Sequence, residues 1–87
     1  MASFRLEWRR SAAKELRRLP ASEVSRIVDA ANELTHNPRP AGCVKLSGSA
    51  CSFRLRVGDY RLLYDIYDDR LVIEVIKVGH RKDVYRD

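Results

Sequence analysis

Three arginines stand at alternating positions around a two-residue turn signal. Arg54 and Arg56 precede the dipeptide Gly58-Asp59, and Arg61 follows it. If this dipeptide is the loop of a β-hairpin, Arg56 lies directly opposite Arg61, and Arg54 shares their face. Like charges in opposed positions destabilise strand pairing by up to about 1 kcal/mol, and a bound anion relieves that repulsion. Because a guanidinium stays protonated and presents a planar fork of donors, the pattern favours phosphate binding.

The C-terminal residues supply a second group of side chains that could take part in chemistry. After Gly79 come a titratable residue and two cations, with a tyrosine close behind: His80, Arg81, Lys82 and Tyr85. Because this group follows the strand predicted to pair with Arg61, it can extend the positive surface. The ordinary pKa of histidine lies near neutrality, so His80 is an alternative acid or base. Glycine is expected to end the strand alternation, which leaves open whether His80 or Arg81 faces the arginines.

The N-terminal half predicts a strand followed by a helical hairpin. Apolar and charged residues alternate over residues 2–8, as in a half-buried strand. From Ser11, the expected N-cap, the apolar spacing becomes helical, and Pro20 ends this helix. Ser22 is the expected cap of a second helix of about four turns, which ends at the prolines of residues 37–40. Each helix has one apolar face, so the pair needs a sheet to pack against.

The C-terminal half supplies that sheet. Residues 44–48 form or enter a strand, and the segments 53–57, 60–67 and 71–78 predict an antiparallel meander with a second two-residue turn at Asp68-Asp69. Residue alternation assigns one face to the core: Phe53, Leu55, Val57, Tyr60, Leu62, Tyr64, Ile66, Leu71, Ile73 and Val75. The arginines lie on the opposite face. The alternative to anion binding is a solvated face on which Arg56 and Arg61 pair with Asp59 or Asp65.

These elements predict one α+β domain over residues 1–87, in which the N-terminal strand and both helices pack on the meander. The chain has 17 Lys and Arg against 12 Asp and Glu, a net charge of +5, which favours anionic partners. It shows neither an apolar run of the roughly 18–20 residues that span a bilayer nor a signal-peptide pattern, so we expect a cytoplasmic protein without a membrane partner. Two cysteines and two histidines are too few for a disulfide scaffold or a metal site, so we expect no metal or other cofactor.

Five short segments resemble the RelE family of toxins: Lys45-Leu46-Ser47-Gly48, Phe53-Arg54-Leu55-Arg56, Tyr60-Arg61-Leu62-Leu63-Tyr64, Val78-Gly79-His80-Arg81 and Val84-Tyr85. Their order after the helical hairpin extends the resemblance over essentially the whole chain. It implies the toxin of a toxin–antitoxin pair, which cuts mRNA in the ribosomal A site. The implied reaction is metal-independent attack of a ribose 2′-hydroxyl on the adjacent phosphate, which leaves a 2′,3′-cyclic phosphate and a 5′-hydroxyl. The implied partners are a RelB-like antitoxin, in a hetero-oligomeric complex, and the ribosome with its message.

The same resemblance implies the roles of individual residues. Arg61, Arg81 and Tyr85 match the family's catalytic arginines and C-terminal tyrosine, with Tyr85 as the candidate base. Arg54 and Arg56 stand where many members carry basic residues, often lysines. Because arginine does not lose its proton, these two are expected to stabilise charge rather than to act as bases. Three further side chains are expected to contact RNA or phosphate: Lys45, His80 and Lys82.

Two other functions fit the same pattern. A ParE-like toxin shares the fold but inhibits DNA gyrase, and the combination of Arg61, Arg81 and Tyr85 argues against it. A catalytically inactive protein of this fold, acting as a binding module or a co-repressor, would make phosphate contacts without cleavage.

Overall fold

The computed structural model describes residues 3–80, which form two helices and one mixed sheet. The elements, in chain order, are β1 (Arg5–Trp8), α1 (Arg10–Arg17), α2 (Ala21–Leu34), β2 (Val44–Lys45), β3 (Ser52–Val57), β4 (Tyr60–Tyr67) and β5 (Val72–His80). Within the described residues the sheet has five strands in the order β1-β5-β4-β3-β2. β1 runs parallel to β5, and the other neighbours are antiparallel. The predicted α+β class is confirmed.

Both helices begin differently from the sequence prediction. Neither Ser11 nor Ser22 is an N-cap: α1 begins after Arg9 and α2 after Pro20, without a side-chain capping bond. The chain enters α1 directly from β1, because the amide of Arg9 still bonds to the sheet at 2.9 Å. Pro20 has the extended backbone of a residue that precedes a helix, and its carbonyl accepts the first amide bonds of α2. Backbone geometry at each entry therefore takes the place of the predicted serine caps.

The core lies between the two helices and one face of the sheet. Its fully buried members come from both layers: Ala12, Ile27, Ala31, Leu34, Leu62, Tyr64, Ile73 and Val75. α1 packs against β5 and α2 against β3. Complete burial of a side chain such as that of Leu62 contributes about 1.5–3 kcal/mol. The other face of the sheet carries no helix among the described residues, and we call it the helix-free face.

The hairpin between β3 and β4 has the predicted register. Val57 pairs with Tyr60, and Arg56 pairs with Arg61. Gly58 has φ 62°, and no other residue of this turn has a positive φ, which is the sign pattern of a type II′ turn. A two-residue loop fixes the pairing of everything before and after it, so the face assignments of β3 and β4 follow.

The connection between β4 and β5 differs from the prediction. It is a four-residue loop over residues 68–71 instead of the two-residue turn Asp68-Asp69. The placement of Leu71 in the core is wrong: the side chain is 39% exposed and its φ is 54°. Because the loop is longer by two residues, the alternation is preserved, and Ile73 and Val75 keep their predicted places in the core.

A carboxylate on α1 holds the free edge of β5. β1 pairs with β5 only as far as Trp8 and Val75, so the following residues of β5 have no strand neighbour on that side within the described chain. Glu15 fills this place, since one of its oxygens accepts the backbone amide of Val78 at 3.0 Å and the other binds Lys77 Nζ at 2.9 Å. The side chain therefore connects α1 to the part of the strand that leads into the C-terminal residues.

The Glu15 contact gives a stability prediction. Glu15→Ala leaves the amide of Val78 without this acceptor, so we expect the free energy of unfolding to fall by about 1–3 kcal/mol. Glu15→Gln keeps an acceptor oxygen and is expected to lose less. Urea denaturation measures both, with Glu33→Ala at an exposed position of α2 as the control, expected within about 0.5 kcal/mol of the parent. An unchanged urea midpoint for Glu15→Ala contradicts a stabilising role.

Candidate functional site

The structure brings three of the predicted arginines onto the helix-free face. Arg56 pairs with Arg61 across the hairpin, and Arg54 pairs with Leu63 two positions further along. On its other side Arg61 pairs with Gly79 of β5, which adds no side chain to this face. We call Arg54, Arg56 and Arg61 the arginine face. A regular register thus holds three guanidinium groups on one side of a rigid sheet, which suits them to binding phosphate oxygens.

The hairpin tip adds a cation that the sequence did not reveal. A Cβ on Gly58 would lie 2.9 Å from the guanidinium of Arg26, which extends from α2. Glycine at this position therefore adopts the positive φ without strain, and its missing side chain leaves room for the guanidinium of Arg26. Arg56 donates from Nε to the carbonyl of Gly58 at 3.1 Å, and its side chain is exposed. This contact joins α2 to the hairpin, two segments far apart in the chain. The position of Arg26 within its helix therefore could not predict it.

The other end of the helix-free face is acidic and aromatic. The carboxylate of Asp65 is buried, and it accepts hydrogen bonds from the hydroxyls of Ser52 and Tyr67. The hydrogen-bond donors to Asp65 in these contacts are therefore neighbouring hydroxyl groups at the same end of the sheet. Beside it lies a cleft of about 460 Å³ whose walls carry both signs of charge: Arg5, Glu7, Tyr67, Arg70, Val72 and Glu74. The mixed charge of this cleft distinguishes it from the arginine face.

Two tyrosines of the described chain are unsuited to act as a base. Burial, and next the Cys43 thiol, raise the pKa of Tyr64 well above its ordinary value, and its hydroxyl donates to the carbonyl of Pro38 at 2.9 Å. The hydrogen bond to Asp65, and next burial, raise the pKa of Tyr67. A raised pKa keeps a phenol protonated at neutral pH. These environments favour structural roles for both side chains.

Two of the predicted phosphate contacts lie away from the arginine face. Lys45 is exposed at the sheet edge and pairs with Phe53, a residue of the core face. The expectation that alternation ends at Gly79 is wrong, because β5 continues with regular pairing to His80. His80 pairs with Tyr60, also on the core side, and their rings meet edge to face at 5.7 Å. The register therefore separates Lys45 and His80 from the three arginines.

The remaining predicted site residues, Arg81, Lys82 and Tyr85, lie outside the described residues. They come after His80 in the chain, and β5 brings that end of the described chain next to Tyr60 and Arg61.

Within residues 3–80, no group of three or more His, Cys, Asp or Glu side chains is placed to hold a metal ion. Over the same residues, neither helix combines the length and the apolar character that crossing a membrane requires.

Comparison with known proteins identifies the family to which the chain belongs. The family model for the ParE toxin of the type II toxin–antitoxin system parDE matches residues 6–85. The chain belongs to the RelE/ParE family of toxins. It is 34% identical to toxin RelG of Mycobacterium tuberculosis over 77 residues, which cover 87% of this chain and 88% of the relative. It is 30% identical to the putative toxin RelE1 of Methanocaldococcus jannaschii over 88 residues, which cover 97% of each chain.

Solved structures of RelE toxins have the same fold. RelE from the archaeal RelE–RelB complex of Pyrococcus horikoshii superposes with a TM-score of 0.83 at 26% identity, over 94% of this chain and 99% of that one. The isolated RelE toxin of Escherichia coli superposes with a TM-score of 0.80 at 26% identity, over 98% of this chain and 88% of that one. The resemblance to RelE toxins seen in the sequence is therefore confirmed, and the protein is a toxin of a toxin–antitoxin system.

Proposed function

We propose that this RelE/ParE toxin is a ribosome-dependent endoribonuclease that cuts mRNA in the ribosomal A site and so inhibits translation. The observation that carries the proposal is the arginine face, where Arg54, Arg56 and Arg61 share one side of the sheet next to the end of β5. Like charges at opposed positions such as Arg56 and Arg61 oppose strand pairing, and a phosphate bound between them offsets that repulsion. A face of this kind suits a reaction in which negative charge grows on phosphate oxygens.

The proposed chemistry divides among the arginines and the C-terminal residues. A 2′-hydroxyl attacks the adjacent phosphate, the bond to the 5′-oxygen breaks, and the products carry a 2′,3′-cyclic phosphate and a 5′-hydroxyl. Arg61, with Arg54 and Arg56, holds the phosphate and stabilises the charge of the phosphorane. In the proposed step Tyr85, as the phenolate, takes the proton of the 2′-hydroxyl. Arg81 is assigned to stabilise the charge on the leaving 5′-oxygen, which then takes its proton from water.

The size of the protein supports a site that is completed by another particle. The described part of the chain measures 33 × 27 × 25 Å, and the arginines lie on a sheet face that carries no helix there. A sheet of five strands without a facing wall cannot fix both sides of a flexible RNA strand. The ribosomal A site supplies a message that is already extended and held, which lowers the entropy lost on binding.

The proposed partner in the resting cell is a RelB-like antitoxin, in a hetero-oligomeric complex in the cytoplasm. Structures of relatives support this choice, since one contains the RelE–RelB complex of Pyrococcus horikoshii and another the RelBE complex of Escherichia coli. A segment that combines acidic and apolar residues fits the positive charge of this chain, because complementary charge accelerates and directs association. Bound over the arginine face, such a segment excludes RNA.

Ribosomes programmed with a defined message test the proposal. The purified toxin is expected to cut the message only when ribosomes are present and the A site is empty, and end mapping is expected to find a 2′,3′-cyclic phosphate and a 5′-hydroxyl. A parallel assay of gyrase covers the ParE-like alternative: inhibited gyrase together with intact message contradicts the proposal.

A further inference from the structure

α1 carries a stripe of cations on its outer surface. Four exposed residues, three within α1 and the last its C-cap residue, stand at the helical spacing i, i+4, i+7 and i+8, which places them in a sector about 100° wide: Arg10, Lys14, Arg17 and Arg18. We call these four residues the α1 stripe. Ala12, which is buried, and Leu16, which packs against the core, lie on the opposite side of the helix. The stripe therefore points away from the sheet, whereas the arginine face lies on the far side of that sheet.

The cations of the α1 stripe have no carboxylate partners in the described chain. Other cations of residues 3–80 do form ion pairs: Arg5 with Glu7, Arg9 with Glu74, Arg26 with Glu23, Arg39 with Asp68, Arg70 with Asp69 and Lys77 with Glu15. None of these pairs includes a stripe residue. Glu15 is the one acidic residue of α1, and its carboxylate is bound to β5. The stripe is thus a surface of one sign without neutralisation from its own helix.

The like charges of the α1 stripe repel one another in the isolated protein. Arg10 and Lys14, and again Lys14 and Arg18, are like charges four residues apart, and each such pair destabilises a helix by about 0.2–0.5 kcal/mol. The macrodipole disfavours Arg10 at the helix N-terminus and favours Lys14 and Arg17 in the last turn, so it does not remove this repulsion. A bound polyanion offsets the repulsion among the four cations.

The surroundings of the α1 stripe fit a nucleic acid better than a protein. Protein interfaces are usually built around apolar and aromatic groups. In the described part of the chain the exposed large apolar residues are Val44 and Leu71, and neither lies on α1. A row of arginine and lysine without an exposed large apolar residue matches the more polar and more positive surfaces that bind phosphate backbones.

We propose that the α1 stripe binds the phosphate backbone of a structured RNA, separately from the message that reaches the arginine face. The two surfaces lie on opposite sides of the sheet, so one short strand cannot occupy both. The choice of RNA over DNA rests on the proposed action at the ribosome, whereas phosphate binding rests on the stripe alone. The stripe acts as an anchor that orients the arginine face toward its substrate.

Two charge-matched variants test the anchor. One carries Arg10→Gln, Lys14→Gln, Arg17→Gln and Arg18→Gln, and glutamine keeps good helix propensity. The control carries Gln at four arginines that already pair with carboxylates: Arg5, Arg9, Arg39 and Arg70. Each variant lowers the formal net charge from +5 to +1, because four positive charges are removed. Circular dichroism and urea denaturation check that both variants fold.

Binding is measured by fluorescence anisotropy at several salt concentrations, with an RNA hairpin that is 2′-O-methylated throughout and cannot be cut. The stripe variant is expected to bind at least about 10-fold more weakly at low salt and to reduce the slope of log K against log[salt] by about 2–3, as for the loss of three phosphate contacts. The control variant is expected to keep most of the parent slope. Equal losses in the two variants, or no loss in the stripe variant, overturn the proposal.

Two further arms identify the occupant. A DNA duplex that depends on the stripe and binds more tightly than the RNA hairpin overturns the choice of RNA. Loss of antitoxin binding in the stripe variant with unchanged RNA binding assigns the stripe to a protein and also overturns the proposal. Because the RNA cannot be cut, these measurements are independent of cleavage, and a failure of the proposed ribonuclease activity leaves them valid.

Discussion

Arg61→Ala is expected to lower the rate of message cleavage by about 10²–10³-fold, equivalent to about 3–4 kcal/mol of transition-state stabilisation. Arg61 lies in the middle of the arginine face, between Arg56 on β3 and Gly79 on β5. Arg61 is therefore placed beside both Arg56 and the end of β5 that leads to Arg81. Single-turnover cleavage on programmed ribosomes measures the effect, and growth after induction measures it in cells.

The fold is expected to survive this substitution. Arg61 points to the face opposite its buried neighbour Leu62, and its removal takes away a like-charge opposition with Arg56. We expect the free energy of unfolding to change by no more than about 1 kcal/mol. Arg5→Ala is the matched control, because Arg5 is an exposed arginine on the same face that pairs with Glu7. Growth arrest by Arg61→Ala at the level of the parent contradicts the assigned role.

Tyr85→Phe is expected to lower the single-turnover rate by about 10²–10⁴-fold, the usual range for a general base. The substitution removes one hydroxyl and keeps the ring. A free phenol has a pKa of about 10, so the proposed role of Tyr85 requires that guanidinium groups of the site favour the phenolate. For the parent we therefore expect a cleavage rate that rises with pH as the base forms. The variant is expected to lose that rise.

His80→Gln is the comparison that separates the two candidate proton carriers. His80 pairs with Tyr60 on the core side and contacts its ring, so its substitution is expected to change the cleavage rate by less than about 10-fold. Unchanged cleavage by Tyr85→Phe, together with a large loss and a shifted pH profile for His80→Gln, assigns the proton transfer to the histidine.

The parts of the fold that follow local rules could be predicted from the sequence. Gly58 fixes the turn, the turn fixes the register of β3 and β4, and the register places Arg56 opposite Arg61. Strand alternation then separates the core face from the helix-free face. Each step depends on neighbours a few residues apart in the chain, so the arginine face was predictable residue by residue.

Features that depend on distant parts of the chain could not be predicted in this way. The parallel pairing of β1 with β5 joins residues near the two ends of the chain, and Glu15 then holds the edge that β1 leaves open. The contact of Arg26 with the hairpin depends on how α2 crosses the sheet. Sequence spacing carries little information on any of these.

The position of β5 in the sheet also has a consequence for synthesis. β5 is the last described strand to be made, yet it lies between β1 and β4. Neither neighbour can complete its hydrogen bonds until residues 72–80 have been added, and pairing across such a sequence distance is slow compared with local folding. The nascent chain therefore lacks the finished sheet until β5 has been made. For a toxin proposed to attack translating ribosomes, this order delays folding of the arginine-bearing sheet relative to synthesis of the arginines themselves.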